Sequence, residues 1–396
     1  MKKIDLEYSS LLNTLEKMSQ TEELTMIEKE RPIIKNTMEE NDVLTFTLAN
    51  TNVCFSNALR RTILSDIDVC CILSEFHETN QINIEINTGR LHNEILKHRL
   101  SCIPIHVDKD MEKFCQENML EINCENNESI LQYVTTENFK VKNKVTGEYI
   151  EGRNIFPPNK YTKDYIDFSR LRPKISETIP GESLKLTADF SIGNAALNSM
   201  YNVVSKCSYS NTVDLKKADE KWKLLYLDLK AKELSEEAIN FEKKNYYLLD
   251  AQRSYITDSF DFIIQGIDIF DNRQICKFAC LKLIKKFQYV IDLCEKNALK
   301  IISSNTTMLN SFDVILENED YTIGKILEYL LYTQFYTGKK AILSYCGFKK
   351  FHPHDTESTI RIAFIEHEET SRIIKLFKIS SEYAIDIFKV IGKLIS

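Results

Sequence analysis

The stretch VLTFTLAN (43–50) alternates apolar and polar residues and predicts a half-buried strand. The period then changes. In FSNALRRTILSD (55–66), Phe55, Ala58, Leu59 and Ile63 fall on one face of a helix. Strands are predicted again at 69–76 (VCCILSEF) and 82–87 (INIEIN). Residues 88–106 read as a helix running into a strand stopped by Pro104. Between 119 and 190 the pattern breaks into short strands and turns, punctuated by Pro157-Pro158, Pro173 and Pro180-Gly181. Residues 214–245 predict a charged helical stretch, 259–267 a strand, and Arg273 to Asn297 a long helix. After a linker, SSNTT (303–307), the chain predicts a strand at 312–317 and a helix at 322–333. Strands near 341–346 and 358–365 and a helix from Thr370 to Ile395 follow. At the start, residues 1–40 are polar, with Leu11, Leu12, Leu15 and Met18 at helical spacing, and predict an appended helix before a loop at Arg31-Pro32.

Two of these segments are alike. LTFTLANTNVCFSNALRRTIL (44–64) aligns without a gap on FDVILENEDYTIGKILEYLLY (312–332). Leu44, Phe46 and Leu48 fall on Phe312, Val314 and Leu316; Phe55, Ala58, Leu59 and Ile63 fall on Ile323, Ile326, Leu327 and Leu331. Both halves later close with a strand and a long helix, so one supersecondary unit occurs twice. The long helices carry heptad seams. One runs through Cys276, Cys280, Leu283, Phe287, Val290 and Cys294. The other runs through Ile373, Leu376, Ser380, Tyr383, Ile387, Val390 and Leu394. The simplest partner for each is the other. This predicts an α+β chain of two units paired in cis by a pseudo-two-fold. The pairing contacts are Cys280, Leu283, Phe287, Val290, Ile373, Leu376, Tyr383, Ile387 and Val390.

Composition narrows the function. The chain has 396 residues, a net charge of −7, 43% apolar and 28% charged residues, room for two or three domains. An acidic chain has no global attraction to a phosphate backbone. No apolar run reaches the ~20 residues of a spanning helix, and the first residues show no apolar core of a secretory signal, so no membrane role is expected. The 11 cysteines, with no Cys-x-x-Cys, read as reduced thiols of an intracellular compartment. On a continuous seam, Cys276, Cys280 and Cys294 are expected as buried thiols, and no metal or cofactor is expected.

No catalytic pattern emerges. There is no Gly-x-Ser-x-Gly, His-Glu-x-x-His or phosphate-loop glycine spacing. His92, His98 and His106 do not share a helical face, and His352-Pro353-His354 reads as a turn. The run KLIKKF (282–287) interleaves with seam positions and reads as the wet face of a helix.

Four motifs resemble known proteins. FSNALRRTILSDI (55–67) resembles the first-helix signature of the D/alpha-type subunit of multisubunit RNA polymerases. NTGRLHNEILKHRLSCIPI (87–105) resembles that family's second signature, through Leu91, His92, Glu94, His98, Arg99, Leu100, Ile103 and Pro104. ENEDYTIGKILEYLL (317–331) and AILSYCGFKKFHPHDTESTIRIA (341–363) resemble the smaller, L-type or eleventh-subunit partner. Glu319, Asp320, Thr322, Gly324, Gly347, His352 and Pro353 carry that match. A fused D-like plus L-like chain is similar to what large cytoplasmic DNA viruses encode.

The resemblance implies a fold of two dimerisation units, with a strand-rich domain inserted in the first. The implied boundaries are the D-like unit at 41–76 and 191–302, the inserted domain at 77–190 and the L-like unit at 308–396; the helical extension at 1–40 and the charged insertion at 214–245 lie outside the family motifs. It implies a non-catalytic platform for two catalytic large subunits, with small zinc-ribbon subunits nearby and no sequence-specific nucleic-acid contact. For a viral chain it implies the host cytoplasm and the virion. Two alternatives remain, a free-standing homodimeric scaffold and a nucleic-acid-binding accessory protein. After the inserted domain, IGNAALNSMYNVV (192–204) keeps Gly193 and little else of the family pattern.

With Phe55 at zero, Arg60 and Arg61 lie at about 140° and 240°, outside the apolar face. The equivalent residues of the second copy are Glu328 and Tyr329. Guanidinium forks suit interface anchoring. Within the resemblance, Asn57, Arg60, Arg61, His98, Arg99, Glu328 and Tyr329 are the expected large-subunit docking residues.

Overall fold

The computed structural model describes residues 31–74, 78–176, 178–304, 307–337 and 341–395. The mixture of helices and strands makes the chain α+β. The chain divides into two compact units. One comprises residues through Thr62, Cys207–Ile264 and the chain from Cys276; the other comprises Ile63–Lys206 and Gln265–Ile275.

The first unit holds two four-stranded sheets. In one the order is Ile33–Glu40, Val43–Ala49, Tyr255–Gly266, Val204–Val213; in the other it is Lys300–Ser303, Ser311–Glu317, Glu357–Phe364, Leu343–Lys349. Both therefore run first, second, fourth, third in chain order. The second strand of each leads into a helix, Val53–Ser65 or Tyr321–Leu331, and the gapless alignment carries strand onto strand and helix start onto helix start. The caps correspond too. Asn52 Oδ1 accepts the Cys54 N–H at 3.0 Å, and Asp320 Oδ1 accepts the Thr322 N–H at 2.8 Å.

Each half closes with a long helix, Asn272–Glu295 and Thr370–Leu394. Cys276, Cys280, Leu283, Phe287, Val290 and Cys294 are all buried, as are Ile373, Leu376, Ser380 and Ile387. The last helix departs from a strict heptad. Tyr383 and Val390 are half-buried and Leu394 is exposed, while Phe377, Ala384, Ile385, Phe388 and Ile391 complete the buried face. A helix with neighbours on several sides needs an apolar face wider than a two-helix seam. Phe388 stacks on Phe287 (ring centroids 6.2 Å) and packs against Phe55 (5.6 Å).

Residues 33–40 form an edge strand, not the end of a helix. Nearly every side chain there is exposed, so the apolar alternation that marks a strand is missing. The structure is set by the next two residues. Asn41 and Asp42 both take the left-handed conformation (φ 49° and 64°), the geometry of a tight hairpin turn that pairs Glu40 with Val43. Residues 1–30 lie outside the described residues. The strand expected at 69–76 is only Val69–Cys71, with 75–77 outside the described residues. The strand expected to end the stretch 88–106 is irregular chain after helix Asn93–Ser101. The charged stretch is two helices, Leu215–Ala231 and Glu236–Leu248, capped by Asp214 and Ser235, around Ala218, Trp222, Tyr246 and Ala251.

The second unit is built on a five-stranded sheet ordered Ile82–Asn87, Ser183–Asp189, Asn118–Glu125, Lys140–Asn143, Tyr149–Ile150. Alternate residues of its central strand, Leu120, Ile122 and Cys124, face a core shared with Leu96, Leu100, Phe139, Phe156 and Phe168. Helices Asn93–Ser101 and Met111–Glu117 and two strand pairs, Val69–Cys71 with Ser191–Gly193 and Gln132–Thr135 with Asp167–Leu171, also belong to it.

Candidate docking site

The two repeated helices meet through polar contacts that differ from side to side. Arg61, on the first, reaches the cap of the second: its Nε donates to Thr322 Oγ1 at 2.9 Å and its Nη2 pairs with Asp320 Oδ2. Asp320 thus caps one helix and binds the other. Burial alone would push its carboxyl up. The Thr322 N–H and hydroxyl and the charges of Arg61 and Lys286 outweigh that and hold it below the usual carboxylate range. Beside it, Lys286 Nζ lies 3.4 Å from Glu319 Oε2.

The alignment places Tyr329 where Arg61 stands and Asn52 and Cys54 where Asp320 and Thr322 stand. Tyr has no fork to close the equivalent contact. There the structure has a groove of about 460 Å³, lined by Asn52, Val53, Cys54 and Asn57 from one helix end and by Lys325, Glu328, Tyr329 and Tyr332 from the other. Tyr209 and Cys346 complete the wall. Burial pushes the Cys54 thiol up, the Cys346 thiol to about 12, and the Tyr329 hydroxyl up. These groups stay protonated and neutral near pH 7, so the wall is uncharged apart from Lys325 and Glu328.

The expected docking residues separate into three kinds. Arg60 is half-buried one helical turn beyond the groove-lining Asn57, and its Nε and Nη2 both donate to Asn57 Oδ1 (3.2 and 2.9 Å). Its field also reaches Cys207 and Tyr209. Arg60, Asn57 and Tyr329 therefore gather at one place. Arg61 and Glu328, also expected as docking residues, are both bonded within the chain. Arg61 is spent on Asp320 and Thr322. Glu328 accepts the Phe348 N–H (3.0 Å) and pairs with Lys325 (2.6 Å), tying its helix to strand Leu343–Lys349. His98 and Arg99 are exposed on Asn93–Ser101 in the other unit, where Arg99 Nη2 donates to the Asp167 carbonyl at 2.6 Å.

Asn52, Tyr209, Tyr332 and Cys346 went unrecognised in the sequence. Asn52 was legible, since the repeat sets it opposite Asp320. Tyr209 and Cys346 come from strands far along the chain and carry no local signal. Among the described residues no three His, Cys, Asp or Glu side chains are grouped to hold a metal ion, and no helix is long and apolar enough to cross a membrane.

Comparison with known proteins shows that part of the chain is similar to subunit 3 of DNA-directed RNA polymerases. RNA polymerase II subunit rpb3 of Dictyostelium discoideum is 36% identical over 77 residues, 19% of this chain and 22% of the relative. Subunit Rpo3 of Pyrococcus horikoshii is 37% identical over 78 residues, 19% of this chain and 27% of the relative. Subunit 3B of RNA polymerases IV and V of Arabidopsis thaliana is 32% identical over 87 residues, 22% and 25%. The matches span about a quarter of the length of these curated relatives. No family model matches the chain.

Proposed function

We infer that the chain is a non-catalytic assembly platform of a DNA-dependent RNA polymerase, with third-subunit-like and eleventh-subunit-like units fused and paired in cis by a pseudo-two-fold. The carrying observation is the doubled strand–helix unit. The two sheets share one strand order and the two helices share one capping scheme, and the halves touch through Arg61 with Asp320 and Phe55 with Phe388. The similarity to subunit 3 supports the same reading.

Such a pair offers two unlike surfaces, as a platform for two non-identical catalytic large subunits requires. In this reading Arg60, held by Asn57 beside the groove, anchors a carboxylate or carbonyl of one large subunit, and small zinc-ribbon subunits dock nearby. The fusion of the two units, and the scarcity of Gly and Pro (10 and 7), support a source among large cytoplasmic DNA viruses. The protein then works in the host cytoplasm and is packaged in the virion.

The test is co-purification. The tagged chain should carry two large subunits at equal stoichiometry. Arg60→Glu should leave the chain folded, since its bonds are local, and should reduce large-subunit recovery at least tenfold, the effect of about 1.4 kcal/mol at a hot-spot arginine. Recovery at the wild-type level removes Arg60 from the interface. A chain that purifies alone from its source refutes the platform.

A further inference from the structure

In the second unit, strand Val69–Cys71 and helix Met111–Glu117 each place a cysteine in the same buried cluster. Cys70 Sγ and Cys115 Sγ lie 3.7 Å apart, in van der Waals contact, and their residues are 3% and 9% exposed. We propose that Cys70 and Cys115 are a reversible modification site, closed to a disulfide by exchange with a small-molecule disulfide such as oxidised glutathione.

The geometry favours this pair over its neighbours. A disulfide needs its sulfurs about 2.05 Å apart, so closure takes a movement of under ~2 Å, within reach of side-chain rotation. Cys71, next on the strand, is committed elsewhere. Its Sγ occupies the space above Gly193, where an added Cβ would meet it at 2.8 Å. Gly193, the residue kept in an otherwise divergent segment, is the seat of that thiol.

The two sulfurs differ in role. The Cys70 and Cys115 thiols share a hydrogen bond in which either sulfur can be the donor. That bond and the charge of Lys144 draw the Cys115 thiol down against the opposing effect of burial, whereas the same bond and burial push Cys70 up. Cys115 is therefore the first nucleophile. Its helix has seven residues and starts from Asp110 in the left-handed region (φ 47°). A helix of about two turns opens locally at low cost and admits the reagent.

The exchange balances. Cys115 thiolate attacks one sulfur of oxidised glutathione, breaks its S–S bond, and releases one glutathione thiolate, which takes a proton. Cys70 then loses its proton and attacks Cys115 Sγ, expelling the second glutathione. Two protein thiols are oxidised and one small disulfide becomes two thiols. The product links residues 45 apart in sequence.

The experiment treats the native full chain with oxidised glutathione, alkylates free thiols in denaturant, and maps unreduced peptides by mass. The expected result is a peptide containing Cys70 linked to one containing Cys115. Two of the 11 thiols enter that link, and reductant reverses it. Exposed Cys102 reports that exchange has occurred, by carrying a mixed disulfide. Cys71→Ser should keep the link and Cys115→Ser should lose it; should Cys115→Ser not fold, the wild-type map decides alone. Full alkylation of Cys70 and Cys115 while Cys102 carries glutathione overturns the proposal. So does glutathione retained on Cys115 without the link.

Discussion

Replacing Asp320 by Ala tests whether one side chain both starts a helix and joins the halves. The substitution removes the acceptor of the Thr322 N–H at 2.8 Å, a cap worth about 1 kcal/mol. It also removes the ion-pair partner of Arg61. The ion pair is about one-third exposed on both sides (34% and 33%), so its share is limited to about 0.5–1 kcal/mol. The total expected loss is about 2 kcal/mol. Asp320→Asn keeps the cap acceptor and drops only the charge, so about half that loss, ~1 kcal/mol, is expected. Arg61→Ala removes the pair and the bond to Thr322 and should cost about 1 kcal/mol. The assay is urea unfolding followed by far-UV circular dichroism, with Trp222, the single tryptophan, as a fluorescence probe in the same unit. The decisive quantity is the double-mutant cycle. Arg61→Ala and Asp320→Ala should be coupled by about 0.5–1 kcal/mol. Additivity within ~0.3 kcal/mol would show that the pair contributes nothing and refute the reasoning.

Other outcomes follow from the same geometry. The Asp320 carboxyl is held below its ordinary value, so its contribution is complete above the unfolded carboxylate pKa of about 3.9 and is lost as pH falls through the lower folded value; acid titration of stability should show this, and Asp320→Asn should remove it. Phe388→Ala, which empties a fully buried site touching Phe55 and Phe287, should cost about 3–5 kcal/mol in the same urea assay. Gly324→Ala should cost about 1–3 kcal/mol, because the new Cβ would stand 1.9 Å from the Phe348 ring, and a smaller partner at 348 should restore stability.

Much of the first unit was legible because its information is periodic. The alternation of 43–49 and the apolar face of the helix after it recur at 311–331, and the ends of these strands and helices fall within two residues of those expected. What escaped was information held in pairs of distant residues. Arg61 looks like an outward arginine on a helical wheel, since it lies off the apolar face. Only the approach of the second helix shows that this polar side meets Asp320. Glu328 is alike: its carboxylate accepts a backbone N–H of a strand twenty residues on, a contact no local pattern shows. The edge strand 33–40 failed differently: its pattern is blank, and two residues in the turn decide its fate.

The contact between Arg61 and Asp320 joins residues 259 positions apart on one polypeptide. If the halves were separate chains, a bond of this modest strength would leave their union at the mercy of dilution. On a single chain each half meets its counterpart at an effective concentration of about millimolar order, whatever the abundance of the protein. The contact therefore need not be strong to persist, and its formation follows first-order kinetics. Under the proposed fusion, every molecule also carries one half of each kind, which guarantees an equal supply of the two without any matching of their synthesis.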